Sequence, residues 1–79
     1  MRAKVTVALK EGVLDPQGKA IEHSLGTLGY HEVTDVRAGK VFTLEFKGDD
    51  RAKAEARVRE MCERLLANTV IENFRIEIE

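Results

Sequence analysis

The chain has 79 residues, of which 43% are hydrophobic and 34% charged, and its 13 basic and 14 acidic residues give a formal net charge of −1. This length predicts one domain over residues 1–79, with a core so small that we expect oligomerisation to stabilise it. The charge balance argues against a nucleic-acid partner, which requires a basic surface, and the lack of an apolar run of about 20 residues argues against a membrane span.

The N-terminal part of the chain predicts a strand, a loop and a helix. Residues 3–9 alternate apolar and polar side chains, which is typical of a half-buried strand. Asp15 and Pro16 predict a helix start, because the aspartate accepts hydrogen bonds from free N–H groups and proline suits the first helical position. Gly29 marks the helix end. Between them runs one apolar stripe at helical spacing, made of Ile21, Leu25 and Leu28.

Residues 32–47 predict two paired strands with a tight turn at Ala38-Gly39, where the glycine would take a positive φ. The second of these strands, over residues 42–47, alternates clearly. Val33 and Val36 have opposite parity, so the first strand is expected to be short or bulged.

The C-terminal part predicts a second helix and a last strand. Asp49 or Asp50 caps the helix. Its expected buried positions are Ala54, Val58, Met61 and Leu65. Two i,i+4 ion pairs are expected to support it, Glu55 with Arg59 and Glu60 with Arg64. Residues 74–78 alternate again as a strand.

The resulting βαββαβ order predicts an α+β, ferredoxin-like fold, with a four-stranded antiparallel sheet and two helices on one face. Because this arrangement hosts many functions, it does not decide the activity. The first ten residues lack the apolar region of a signal peptide, so we expect a cytoplasmic protein.

No catalytic, cofactor-binding or metal-binding constellation is predicted. His23 and Ser24 point about 100° apart on a helix and form no relay by themselves. The two histidines, His23 and His31, and Cys62 lack the short ligand spacing of a zinc site. Cys62 has no base beside it and is interpreted as a packing thiol. The glycines match neither phosphate-binding pattern, and the strand aromatics fall on the core side, unlike those that stack on RNA.

Three segments are more specific than a generic scaffold: LKEGVLDPQGKAIEHSLGTLGY (residues 9–30), VTDVRAGKVFTLEF (33–46) and LLANTVIENFRIEI (65–78). They closely resemble the family of the small PurS subunit of phosphoribosylformylglycinamidine synthase. The resemblance covers nearly the whole chain, and DPQGKAI and LLANTVIENF are its most specific parts.

The resemblance implies a non-catalytic subunit of a glutamine-dependent, ATP-consuming ligase of de novo purine biosynthesis. That enzyme converts formylglycinamide ribonucleotide, glutamine and ATP to formylglycinamidine ribonucleotide. The implied partners are a large synthetase subunit and a glutaminase subunit, which this chain would bridge, as a homodimer or dimer of dimers, in support of ammonia transfer. ATP and Mg would be used by the complex, and no cofactor is expected on this chain alone.

We predict the partner interface on a loop shaped by glycine and proline and on a turn rich in asparagine. Its residues are Gly12, Val13, Leu14, Asp15, Pro16, Gln17, Gly18, Asn68, Thr69 and Asn73. The two loop glycines would permit close backbone approach by a partner, and the proline would lower the ordering cost on binding.

An ACT-like regulatory module, which binds an amino acid at a dimer interface, stays open as an alternative. It shares the βαββαβ order and a glycine-containing loop after the first strand. An acylphosphatase-like enzyme would need an arginine in that loop to hold phosphate, and residues 9–18 contain none.

Overall fold

The computed structural model describes residues 1–79 as an α+β fold with three antiparallel strands and two α-helices. The elements, in chain order, are β1 (Arg2–Leu9), α1 (Pro16–Thr27), β2 (Gly39–Glu45), α2 (Arg51–Met61), a π-helical turn (Cys62–Leu66) and β3 (Glu72–Ile78). Neither α-helix combines the length and apolar character needed to cross a membrane.

The central strand of the sheet is β1, which pairs antiparallel with β2 on one side and β3 on the other. Val5, for example, pairs with Phe42 and with Ile76. The predicted alternation of all three strands is confirmed. One face of β1 is fully buried under α2, and the core that results consists of Ala3, Val5, Val7, Val58, Cys62 and Ala67.

The start of α2 is as predicted, because Asp50 Oδ1 accepts the N–H of Lys53 at 3.1 Å. Both predicted ion pairs also form, with N···O distances of 3.6 Å and 3.8 Å for Glu55–Arg59 and Glu60–Arg64. Each is exposed and contributes only about 0.2–0.5 kcal/mol.

The predicted buried face of α2 is wrong beyond Val58. Met61 and Leu65 are 40% and 82% exposed, whereas Cys62 is fully buried. The helix widens at its end into the π-helical turn, where the Ala67 N–H reaches back to the Cys62 carbonyl at 3.0 Å. The buried residues Ala54, Val58 and Cys62 keep the regular i, i+4, i+8 spacing, and after the π-helical turn the next buried residue is Ala67, five positions later.

The prediction of a fourth strand and a hairpin is also wrong, because residues 30–38 form no strand. β2 begins at Gly39, whose φ is not positive. Gly39 is needed instead for close strand approach, since a Cβ there would lie 2.7 Å from the carbonyl oxygen of Val7. Val33 and Val36, with opposite parity, cannot both face a sheet core.

Helix α1 has the predicted ends but not the predicted packing. Gly29, with a φ of 101°, ends the helix, and the N–H of Tyr30 closes onto the Leu25 carbonyl at 2.9 Å. This is the Schellman pattern. However, α1 packs extensively against neither the sheet nor α2, and Ile21 and Leu28 are 39% and 73% exposed. The two-helix layer expected on one face of the sheet is therefore not formed within the chain.

Helix α1 and the segment after it project from the sheet as an arm, defined as residues 16–38. The radius of gyration is 16.0 Å and the chain extends over 49 × 24 × 15 Å. A compact chain of this length would have a radius of gyration of about 12 Å. The end of the arm runs back beside the start of α1, where Gly18 lies against the backbone carbonyl of Val36.

Candidate functional site

The two segments predicted as a partner interface lie side by side at one end of the sheet. Leu9 at the end of β1 pairs with Glu72 at the start of β3. One step further, the N–H of Lys10 donates to the Ile71 carbonyl at 2.8 Å. We call this surface the loop platform, defined as residues 10–18 and 68–73.

The first loop of the platform begins with a tight turn. The N–H of Val13 donates to the Lys10 carbonyl at 3.1 Å, and Gly12 has a φ of 87°. This φ suits glycine at the third position of a type II turn. The same Lys10 carbonyl also accepts a hydrogen bond from Arg37 Nη2 at 3.2 Å, which ties the loop to the arm.

Asp15 organises the second half of this loop. It is 5% exposed, and its Oδ1 accepts the Gly18 N–H at 2.8 Å while Oδ2 accepts the Ala38 N–H at 2.7 Å. These two hydrogen bonds hold the pKa of the Asp15 carboxyl below its ordinary value, and the nearby Arg37 acts in the same direction. The carboxylate therefore caps α1 and fixes the end of the arm.

Asn68 organises the second loop of the platform. Its Oδ1 accepts the Val70 N–H at 3.2 Å, and its carbonyl accepts the N–H groups of Ile71 and Glu72 at 3.0 and 2.7 Å. Glu72 returns a bond, because its Oε1 accepts the Asn68 N–H at 2.7 Å. Both loops are thus held by internal hydrogen bonds before any partner binds.

The platform exposes three apolar side chains, with Leu14, Val70 and Ile71 at 68%, 80% and 38% exposure. Val70 and Ile71 lie inside the predicted segment 68–73 but are not among its named interface residues, although two aliphatic residues inside the polar run ANTVIEN are a visible signal. Of the predicted interface residues, the exposed ones are Gly12, Leu14, Pro16, Gln17, Asn68, Thr69 and Asn73. Val13 is half-buried, while Asp15 and Gly18 are buried and shape the platform from below.

The candidate residues outside the platform are Cys62 and the possible metal ligands. Cys62 is fully buried, and the desolvation of its thiolate raises the pKa of the thiol. The packing interpretation of this residue is confirmed. No group of three or more His, Cys, Asp or Glu side chains comes together in a way that could hold a metal ion. Every buried side-chain nitrogen or oxygen has a hydrogen-bond partner.

Comparisons with known proteins agree on one family. The family model of PurS, described as phosphoribosylformylglycinamidine (FGAM) synthase, matches residues 2–79. The PurS subunit of Bacillus subtilis is 54% identical over 99% of this chain and 92% of its own, and that of Methanocaldococcus jannaschii is 38% identical over 99% and 94%.

Solved structures match over the same length. A crystal structure of B. subtilis PurS gives a TM-score of 0.90 at 54% identity, covering 99% of this chain and 96% of that one. A chain in the structure of PurLQS from Thermotoga maritima gives 0.87 at 32% identity, covering 96% and 93%. The chain therefore belongs to the PurS family, the PurS subunit of phosphoribosylformylglycinamidine synthase.

Proposed function

We propose that this chain is a non-catalytic adaptor that bridges the synthetase and glutaminase subunits of its ligase, in de novo purine biosynthesis, as a homodimer or dimer of dimers. The observation that carries the proposal is the loop platform, a hydrogen-bonded base that presents Leu14, Val70 and Ile71 to solvent. The similarity to a chain in the T. maritima PurLQS structure supports the same role.

The mechanism we propose is positional. Ammonia released into bulk water is diluted and protonated, so it must pass between the two active sites under cover. An adaptor supports this transfer by aligning the sites or by closing the space between them. ATP and Mg act on the synthetase subunit in this scheme, and this chain supplies contact surface alone.

The platform is suited to such contact for two physical reasons. Its exposed apolar side chains stabilise an interface when they leave water. Its loops are already ordered by Asp15 and Asn68, so binding loses little conformational entropy.

Assembly of the three subunits tests the proposal. In a pull-down with the synthetase and glutaminase subunits, with ATP-magnesium and glutamine varied, we expect Leu14→Asp with Val70→Asp to weaken assembly by at least about tenfold. The matched control is Val41→Asp, which changes an aliphatic residue of β2 that is 56% exposed and lies outside the platform. Equal assembly of both variants would contradict the proposal.

Isothermal titration addresses the ACT-like alternative. We expect no heat of binding from a panel of amino acids added to the isolated chain. Saturable binding of an amino acid, together with failure to bind the synthetase, would favour the regulatory module instead.

A further inference from the structure

A cleft of about 320 Å³ lies beside the second loop of the platform, where β1 and α2 end and β3 begins. We call it the polar cleft, and its lining consists of Lys10, Arg59, Thr69, Glu72, Asn73 and Phe74. Four of these six residues belong to the loop platform. The cleft is therefore continuous with the surface that presents Val70 and Ile71 to solvent.

The polar cleft gathers hydrogen-bond donors that the chain itself does not use. The side chains of Lys10, Thr69 and Asn73 form no hydrogen bond and no ion pair within the chain. The Arg59 guanidinium lies 3.6 Å from a Glu55 oxygen, which is too far for a hydrogen bond. All four side chains are therefore free to donate to an acceptor placed in the cleft.

Arg59 is the most constrained of these donors. Its guanidinium carbon lies 5.7 Å from the centre of the Phe74 ring, in a cation–π contact, and Glu55 contacts it from the preceding turn of α2. A guanidinium presents its N–H groups as a planar fork that fits the two oxygens of a carboxylate. Because these contacts already restrict the side chain, binding through it loses less conformational entropy than binding through a free surface arginine.

The charge of the polar cleft matches one carboxylate. Lys10 and Arg59 against Glu72 leave one excess positive charge in the lining. Glu72 already has partners of its own, because its Oε1 accepts the Asn68 N–H at 2.7 Å and its Oε2 lies 3.9 Å from Lys40 Nζ. A carboxylate carries one negative charge, whereas a phosphate monoester carries nearly two at neutral pH. The single excess charge therefore favours a carboxylate.

We propose that the polar cleft receives an aspartate or glutamate side chain of a partner subunit, whose carboxylate accepts hydrogen bonds from Arg59 and Lys10. The exposed Val70 and Ile71 beside it favour a protein over a free anion, since protein interfaces combine apolar contacts with arginine. The inference rests on the proposed function and names the chemistry of the partner at the loop platform. The charged contact would fix the orientation of that partner, which apolar contacts alone specify poorly.

Binding to the synthetase and glutaminase subunits at several salt concentrations is the first test. We expect Arg59→Gln to raise the dissociation constant about tenfold and to make binding less sensitive to sodium chloride, because the ion pair that salt screens is lost. Arg64→Gln is the matched control. Arg64 also pairs with a glutamate four residues earlier, Glu60, but it does not line the cleft. Equal affinities, or equal salt dependence, in the two variants would overturn the carboxylate site.

This outcome is distinguishable from a failure of the proposed function. If Leu14→Asp with Val70→Asp weakens assembly and Arg59→Gln does not, the loop platform is a docking surface and the carboxylate site is wrong. If the wild-type chain binds neither subunit, the proposed function is wrong and the carboxylate site with it.

Zero-length crosslinking tests the chemical nature of the occupant in the wild-type complex. A carbodiimide activates a carboxyl group, and a lysine amine in contact with it then forms an amide bond. We expect mass spectrometry to find a peptide that joins Lys10 to an aspartate or glutamate of the synthetase or glutaminase subunit. Lys10→Arg keeps the charge but removes the amine, so it should assemble normally and lose this peptide. An assembled complex whose other lysines crosslink to a partner while Lys10 does not would overturn the proposal.

Discussion

The Asp15 carboxylate accepts the backbone N–H of Ala38 at 2.7 Å, across 23 residues of sequence. Its other oxygen accepts the N–H of Gly18 at 2.8 Å. One side chain thereby fixes the start of α1, the shape of the platform and the entry into β2. The position of the platform's exposed residues therefore depends on Asp15, which is itself buried.

Replacing Asp15 therefore affects the fold and, through it, the platform. We expect Asp15→Ala to lower the midpoint of thermal unfolding and the helical content, because the buried N–H of Gly18 and the partly buried N–H of Ala38 lose their acceptor. The unfolding midpoint of Asp15→Asn should lie between those of the wild type and Asp15→Ala, since an amide offers one acceptor oxygen where the carboxylate offers two. Far-UV circular dichroism during heating measures both effects. A midpoint equal to the wild type in Asp15→Ala would contradict this role.

Because of the same carboxylate, we expect the unfolding free energy to fall in acid. Hydrogen bonds lower the pKa of Asp15 in the folded chain, so its ionised form stabilises the fold above the unfolded-state pKa of about 3.9. This contribution is lost as the pH falls through the lower, folded-state pKa. Urea unfolding should show the gap between wild type and Asp15→Asn constant near neutrality and narrowing in acid. A gap that does not change with pH would contradict the prediction.

Two glycines of α1 should respond oppositely to alanine. At Gly18 an added Cβ would run into the Val36 carbonyl, so we expect Gly18→Ala to lower the unfolding free energy by about 1–3 kcal/mol. At Gly26 no atom lies within 4 Å of the added Cβ, and Gly26→Ala should raise it by about 0.5–1 kcal/mol. Chemical denaturation measures both, and equal effects would show that the arm does not close on Gly18.

Cys62 should not react with thiol reagents in the folded chain. It is fully buried, and burial raises the pKa of its thiol, so little reactive thiolate is present. We expect an aromatic disulfide reagent to label it only after denaturation. We also expect Cys62→Ser to cost about 1–3 kcal/mol of stability, because a hydroxyl there lacks a partner. Rapid labelling under native conditions would contradict the buried assignment.

Local patterns in the sequence predicted the elements better than their packing. The period of two in β1 and the capping signals at Asp15 and Asp50 act over a few residues, and the structure confirms them. The direction of α1 depends on the Asp15–Ala38 hydrogen bond, which spacing within the helix does not encode. The apolar stripe of α1 therefore looked like a core face, although the chain leaves it exposed.

The remaining errors also have non-local causes. Cys62 is buried in place of Met61 because of the face that α2 turns towards β1, and helical spacing after Val58 allows either residue to continue the buried face. The sequence predicts the two segments of the platform but not that they are adjacent. Their adjacency follows from the β1–β3 pairing, which places Lys10 beside Ile71. That these residues contact a partner stays a prediction.

The most direct measurement compares two nitrogen sources in the reconstituted three-subunit enzyme. We expect Leu14→Asp with Val70→Asp to lower glutamine-dependent formation of formylglycinamidine ribonucleotide by at least about tenfold. Turnover with added ammonium salt should stay near the wild-type rate, because the synthetase site is untouched. Val41→Asp should leave both rates unchanged. Full glutamine-dependent turnover in the platform variant, or an equal loss with ammonium, would contradict the role of the loop platform as a docking surface.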